Sequence, residues 1–111
     1  MILPPDQVFY VSPVEIKDWR DLNNAMIVDV REENEWAEAH IPGAILMPLS
    51  TFNAGEIPDS GGKHLVFHCR SGLRCGVAAE KALAAGYSGV IKRMAGGFLA
   101  WDAAGFVSEV G

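Results

Sequence analysis

The 111-residue sequence has little of several features that mark particular protein classes. Its two cysteines are too few for the disulfide framework of a small secreted domain, and the chain begins without the basic and apolar regions of a secretory signal. No apolar run approaches the roughly 20 residues that cross a bilayer. Lys and Arg (9) are outnumbered by Asp and Glu (14), and the net charge of −5 argues against nucleic acid or an anionic membrane as a partner. These absences predict a cytoplasmic protein with free thiols.

The length and apolar content fit one domain over residues 1–111. Half of the residues are hydrophobic, which is enough to fill a single core at this size. No repeat, low-complexity tract or linker divides the chain. The histidines and cysteines lack the spacing of a zinc site, so the sequence indicates neither a metal nor a cofactor.

The order of strand and helix patterns predicts an α/β domain with parallel strands. Apolar runs typical of buried strands lie at 8–11, 25–30, 64–67 and 89–94, with a shorter run at 45–47. Helical patterns lie between and after them at 12–22, 31–40, 77–85 and 98–105. Gly86 suits the left-handed residue that often follows a helix. Strand, helix, strand repeated in this way is a parallel crossover unit.

The stretch 68–75 places a thiol between a buried strand and a helix. A loop that leaves the carboxyl end of a strand and enters a helix directs free backbone N–H groups inward, and the helix dipole adds positive potential. With Arg70 and Arg74 nearby, this field favours the thiolate form of Cys69. A structural cysteine would not call for Arg70, Ser71, Gly72 and Arg74 around it. The sequence therefore predicts a nucleophilic Cys69 in an anion-binding loop.

Other polar residues are interpreted as supports. Asp29 and Arg31 end the second buried strand, where open α/β sheets place their sites, and we expect Asp29 to order the loop. Arg31 and Glu35 have the spacing of an i, i+4 ion pair that braces the next segment, with direct contact to a substrate as the alternative. His40 is interpreted as bonded to backbone beside a turn and not as a catalytic base. His68 is expected to finish its strand, with a charge that lowers the Cys69 pKa as the alternative.

Two glycines and two aromatic residues follow the last strand. Gly96 and Gly97 could let the backbone approach the Cys69 loop closely. Phe98 and Trp101 are three residues apart, which favours packing in the core over a ligand platform.

Four motifs in order resemble a single-domain rhodanese. They are Asp29-Val30-Arg31, the stretch from Glu35 to the turn 40–44, the loop 69–75, and Gly96-Gly97 with Trp101. The resemblance covers about Val8 to Phe106 and implies a parallel five-stranded sheet with helices on both faces. It also implies that Cys69, on the loop after the fourth strand, is the catalytic residue.

The resemblance further implies a reaction and its partners. The Cys69 thiolate would attack the outer sulfur of thiosulfate or a similar donor, release sulfite, and pass the resulting persulfide to cyanide or a thiol. Arg70, Ser71, Gly72, Leu73 and Arg74 would bind the small anionic donor, with no nucleic acid or membrane involved. A sulfur-relay protein is a possible partner.

The sequence departs from the usual rhodanese pattern at two positions. Ala39 stands where glycine is usual, which would stiffen the turn without touching the chemistry. Cys75 stands where serine is frequent. It is interpreted as a small residue in the first helical turn, with a resolving thiol for Cys69 as the alternative.

Three other functions remain as alternatives. A cysteine phosphatase would need its arginine one residue after Arg74, where Cys75 stands, and a shorter loop suits one sulfur centre better than a phosphoryl group. A non-catalytic binding or regulatory module would not need an intact Cys69. A persulfide carrier would be loaded by a partner enzyme instead of by thiosulfate.

Overall fold

A computed structural model describes residues 7–111, and the predicted N-terminal arm at residues 1–6 lies outside the described part. The strands are β1 Val8–Val11, β2 Ala25–Asp29, β3 Ile45–Leu46, β4 His64–His68 and β5 Ile91–Met94. The helices are α1 Pro13–Asp21, α2 Glu33–Glu38, α3 Arg74–Ala84 and α4 Gly97–Ala103. Two short 3₁₀ turns, Leu49–Thr51 and Ala54–Glu56, lie between β3 and β4.

The five strands form one parallel sheet in the order β1-β5-β4-β2-β3. The predicted α/β fold with a parallel five-stranded sheet is therefore confirmed. β4 lies at the centre between β5 and β2, and its residues 65–68 are buried on both faces, as expected for a parallel sheet covered by helices. The loop after β4 consequently opens at the middle of the carboxyl edge of the sheet, where α/β proteins place their sites.

Two clusters of buried residues show the three layers. On one face, the alanines of α3 and Cys75 pack against Leu65 and Phe67 of β4. On the other face, Ile16 of α1 and Trp101 of α4 pack against Val66. Adjacent residues of β4 therefore serve opposite faces, as the two-residue period of a strand requires. The packing roles predicted for Phe98 and Trp101 agree with their burial, 9% and 0% exposed.

The helix ends at Ser12 and Gly86 agree with the sequence patterns. Ser12 caps α1 by accepting a hydrogen bond from Glu15 N (3.3 Å), and Gly86 follows α3 with a φ of +97°. The helical pattern at 77–85 continues one turn earlier, to Arg74, so Cys75 lies in the first turn of α3 as interpreted from the sequence. Gly76 lowers the helix propensity of that first turn, so the run of strong helix formers begins only after it.

Candidate active site

Cys69 is the first residue after β4, and its side chain is buried, with 1% of its surface exposed. The backbone N–H of Gly72 donates a hydrogen bond to Cys69 Sγ across 3.2 Å. A thiol that accepts hydrogen bonds from several donors is stabilised in its charged form. The loop 69–73 thus wraps the sulfur in the way that the sequence predicts for an anion-binding loop.

The pKa of Cys69 is lowered from 9.0 to about 5, chiefly because the Cys75 side chain donates a hydrogen bond to its sulfur. The backbone N–H groups of Cys75, Gly72 and Arg74 lower it further, while burial acts in the opposite direction. The donors outweigh burial, so Cys69 is a thiolate at neutral pH. A buried thiolate surrounded by N–H groups has the charge state that a sulfur nucleophile requires.

Cys75 lies in the first turn of α3 and is fully buried. Its Sγ is 3.1 Å from the carbonyl oxygen of Gly72, to which it can also donate its single proton. The hydrogen bond with Cys69, followed by burial, raises the pKa of Cys75 far above its ordinary value. Cys75 is therefore a neutral donor, which favours the predicted role as a small buried residue over that of a resolving thiol.

The exposed part of the loop contains Arg70, Ser71 and Leu73. All three are open to solvent, and Leu73 has 79% of its surface exposed. Among residues 7–111, no hydrogen bond or salt bridge is formed by the Arg70 side chain. Arg70 therefore remains available to an anion that approaches Cys69.

Arg74 is paired with a carboxylate. Its Nη1 and Nη2 donate to Glu35 Oε1 and Oε2 across 2.6 and 2.8 Å. This two-point contact lowers the pKa of Glu35 to about 2, and it raises the pKa of Arg74. The side chain of Arg74 thus joins α3 to α2, and its backbone N–H is the group that faces the Cys69 sulfur.

The predicted ion pair between Arg31 and Glu35 was wrong. Arg31 instead donates from Nε and Nη2 to Asp29 (3.0, 3.1 and 2.8 Å), and Nη2 also donates to the carbonyl of Ala39 across 2.8 Å. The buried Asp29 requires a cation and binds the nearer one, while Glu35 is turned toward Arg74. Asp29 also accepts from Arg31 N (2.9 Å) and orders the chain after β2, as expected.

Ala39 adopts an extended conformation, with φ −168° and ψ 142°. Any residue can adopt this backbone, so the absence of glycine at position 39 costs nothing here.

His68 and His40 both have structural surroundings. His68 is fully buried, and its Nε2 is 3.5 Å from Asp29 Oδ2. Burial lowers the pKa of His68, so it is neutral at pH 7 and supplies no positive charge to Cys69. His40 Nδ1 lies 3.0 Å from the carbonyl of Trp36, and its Nε2 lies 3.0 Å from Glu109 Oε1, which confirms the predicted bond to backbone.

Gly97 allows α4 to contact the Cys69 loop, which confirms the expected close approach. Phe98 N donates to the carbonyl of Cys69 (2.7 Å), and Leu99 N donates to the carbonyl of Arg70 (3.1 Å). Gly97 has φ +60°, and a Cβ there would lie only 2.5 Å from the Cys69 oxygen. Only glycine fits this position.

Sequence reasoning missed one residue that contacts the loop. Arg93 of β5 donates from Nη2 to the carbonyl of Gly72 (2.7 Å) and from Nε to Cys75 Sγ (3.5 Å). A basic residue in a short strand carries no local signal of this contact. Only the parallel pairing of β4 with β5, in which Phe67 is the partner of Arg93, brings it to the loop.

Two other features are absent from the part of the chain that the structure describes. In residues 7–111, no three His, Cys, Asp or Glu side chains cluster closely enough to hold a metal ion. None of the helices in the same range is long and apolar enough to cross a membrane.

Comparisons with known proteins agree with this geometry. An uncharacterized protein of Synechocystis, slr1261, is 37% identical over 95 residues, which are 86% of this chain but only 52% of that protein. The human thiosulfate:glutathione sulfurtransferase is 30% identical over 105 residues, 82% of this chain and 90% of that protein. The chain thus spans about half the length of the first relative.

Structural similarity and a family model complete the comparison. A rhodanese-related protein from Thermoplasma volcanium superposes with a TM-score of 0.78 over 92% of this chain and 98% of that one, at 20% identity. The model of the rhodanese-like domain matches residues 12–104, which include every strand except β1 and the whole Cys69 loop. The chain belongs to the family of rhodanese-like domains.

Proposed function

We propose that this domain is a sulfurtransferase that moves a sulfane sulfur from thiosulfate or a related anionic donor to a thiol or cyanide through a persulfide on Cys69. The observation that carries the proposal is the buried thiolate of Cys69, with a pKa of about 5, among the N–H groups at the start of α3. A relative of similar length is named for the transfer of sulfur from thiosulfate to glutathione.

In the first half of the reaction, the Cys69 thiolate attacks the outer sulfur of the donor. A new S–S bond forms at Cys69 while the S–S bond of thiosulfate breaks, and sulfite leaves with that electron pair. The exposed guanidinium of Arg70 would bind the anionic donor, with Ser71, Gly72 and Leu73 supplying loop groups around it.

In the second half, an acceptor thiolate or cyanide attacks the outer sulfur of the persulfide. The S–S bond at Cys69 breaks, the acceptor leaves with the sulfur, and the Cys69 thiolate is regenerated. The donors that stabilise this thiolate make Cys69 a good leaving group in this step. Arg74 contributes its backbone N–H, because its side chain is bound to Glu35.

The same pairing argues against phosphoryl transfer. A cysteine phosphatase clamps its substrate with both N–H groups of an arginine fork. Here both terminal nitrogens of Arg74 are bound to Glu35, and the spacing from Cys69 is one residue short. The geometry therefore favours a sulfur donor over a phosphate ester.

A second candidate function is a persulfide carrier that a partner enzyme loads. It is favoured by the exposure of Leu73 and Leu99, which are 79% and 49% exposed and lie at the loop and beside it. Exposed apolar side chains next to a reactive thiol suit contact with another protein.

A cytoplasmic location remains a prediction from the sequence.

The test is the intact mass of the protein after brief exposure to thiosulfate, with sulfite release followed in parallel. We expect the wild type and Cys75→Ser to gain one sulfur atom with matching sulfite, and Cys69→Ser to gain none. Cys75→Ser is the matched control because it removes the other thiol and keeps a donor at the same place. No gain in the wild type would exclude thiosulfate as donor. Loading by a persulfide-bearing enzyme would then support the carrier.

A further inference from the structure

We propose that Arg93 is a positioning residue for Cys69. Its guanidinium holds the Gly72 carbonyl and the Cys75 thiol in place. This inference deepens the proposed function and rests on it, because the positioned thiolate is the one that would transfer sulfur. The contacts that support the inference and the experiment that tests it do not depend on sulfur transfer.

The guanidinium of Arg93 spans two loop groups. Nη2 donates to Gly72 O across 2.7 Å, and Nε lies 3.5 Å from Cys75 Sγ. The other side of the guanidinium lies over the ring of Tyr10 on β1, with 4.3 Å between Arg93 Cζ and the ring centroid. Stacking on an aromatic ring restricts the planar guanidinium, so its two donors are fixed in direction.

The first contact sets the direction of a peptide group. Gly72 has φ +111°, a conformation that few other residues adopt, and the wide conformational freedom of glycine means that a partner helps to fix the peptide that follows it. A peptide carbonyl and the N–H of the same unit point in opposite directions. By binding the carbonyl of Gly72, Arg93 therefore also fixes the N–H of Leu73, which points away from Arg93.

The second contact concerns the proton of Cys75. Cys75 can donate this proton to Gly72 O or to the sulfur of Cys69. The hydrogen bond to Cys69 is the largest cause of the low pKa of Cys69. Arg93 already supplies Gly72 O with a strong donor, and it donates to the sulfur of Cys75 as well. A group that accepts a hydrogen bond becomes a better donor in turn. Both effects favour donation from Cys75 to Cys69.

The positive charge of Arg93 is not neutralised by a carboxylate of the described residues. In residues 7–111, no carboxylate lies within salt-bridge distance of its guanidinium, whereas Arg31 and Arg74 are each paired. A carbonyl oxygen and a sulfur are therefore its polar contacts, and both belong to the loop that holds the Cys69 thiolate. An unneutralised cation beside that loop favours negative charge on it.

Gly76 provides the space for this arrangement. A Cβ at position 76 would lie 2.6 Å from Arg93 Nη2 and 2.9 Å from Cζ. Gly76 has an ordinary helical backbone within α3, so alanine is compatible with its conformation. Gly76→Ala should therefore strengthen the helix while it pushes the guanidinium away from Gly72 and Cys75.

These contacts define the experiment. The rate of Cys69 alkylation by iodoacetamide is measured against pH in the Cys75-containing protein, with the modified residue identified by mass, for Arg93→Met, Gly76→Ala and the double variant. Lys92→Met is the matched control, because it removes one positive charge from the same strand at a residue that lies near Trp19. This readout reports the Cys69 thiolate whether or not the protein transfers sulfur.

We expect the alkylation midpoint to rise by about one pH unit above that of the wild type in both single variants, with Lys92→Met unchanged. The double variant should match Arg93→Met, because Gly76→Ala acts only through the guanidinium. The thermal unfolding midpoint of Gly76→Ala should not fall, which separates the effect from loss of folding.

A wild-type midpoint in both single variants would overturn the proposal, and so would additive shifts in the double variant. If Arg93→Met does not fold, Gly76→Ala alone decides, since it retains Arg93. Failure to form a persulfide with thiosulfate would count against the proposed function and would leave this inference intact.

Discussion

Gly97→Ala tests how closely α4 must approach the Cys69 loop. The new methyl group would lie 2.5 Å from Cys69 O and 2.7 Å from Arg70 O. Both oxygens are bound by backbone N–H groups of α4, at 2.7 and 3.1 Å, so neither can move away without breaking a hydrogen bond. The methyl group therefore clashes with backbone atoms that are held in place.

The expected destabilisation has two parts. Alanine at φ +60° costs about 1–2 kcal/mol in the left-handed region, and overpacking of a closed contact costs about 1–3 kcal/mol. We expect a loss of about 2–5 kcal/mol in the free energy of unfolding, which is a large share of the stability of a domain of this size.

Gly105→Ala is the matched control for this prediction. Gly105 also has a positive φ, +76°, but a Cβ there would meet nothing within 4 Å. It should therefore lose only the backbone part, about 1–2 kcal/mol. Urea unfolding followed by far-UV circular dichroism measures both losses. Equal losses in the two variants would refute the argument that the close approach, and not the backbone conformation, requires glycine at position 97.

Three further predictions concern the side chains of Cys75 and Glu35. Cys75→Ala removes the largest stabilising donor of Cys69, so the pH midpoint of Cys69 alkylation should rise above about 5 and exceed that of Cys75→Ser, which keeps a donor; equal midpoints would contradict this role. Since Cys75 is a buried neutral thiol, Cys75→Ser should retain reversible inactivation by peroxide, and its loss would restore the resolving-thiol hypothesis. Glu35→Gln should lose about 1 kcal/mol at pH 7, because its pair with Arg74 is partly exposed. The folded pKa of Glu35, about 2, lies below its ordinary value of 4.5, so this contribution is present above pH 4.5 and the difference in urea unfolding should shrink as pH falls toward 2; a constant difference would contradict it.

Local patterns predicted most of the fold and the centre of the site. Strand β1, the cap at Ser12 and the helix stop at Gly86 each depend on neighbours in sequence, and each lies where the pattern indicates. The position of Cys69 between a buried strand and a helix is local in the same sense. The close approach at Gly97 was also predictable, because a glycine at a strand end has few other uses.

Pairings between distant segments could not be read from the sequence. Glu35 has two basic candidates, and the i, i+4 spacing favours Arg31, but the fold gives Arg31 to Asp29 and leaves Glu35 for Arg74. Arg93 reaches the loop only because β5 lies beside β4 in the sheet. Such contacts depend on three-dimensional neighbours that sequence spacing does not contain.

The strand order has a consequence for the order of events during folding. β1, near the start of the chain, pairs with β5, near its end, and α4 then binds the Cys69 loop from a still later position. Contacts between such distant segments form late, because the intervening chain must first be ordered. An intermediate that lacks β5 would contain a Cys69 without Arg93, Phe98 or Leu99 beside its loop, and the pKa of its thiol would lie above that of the folded protein. The pKa of Cys69 therefore falls during the last stage of refolding. The rate of Cys69 alkylation in short pulses at pH 6, applied at successive refolding times, would follow this stage.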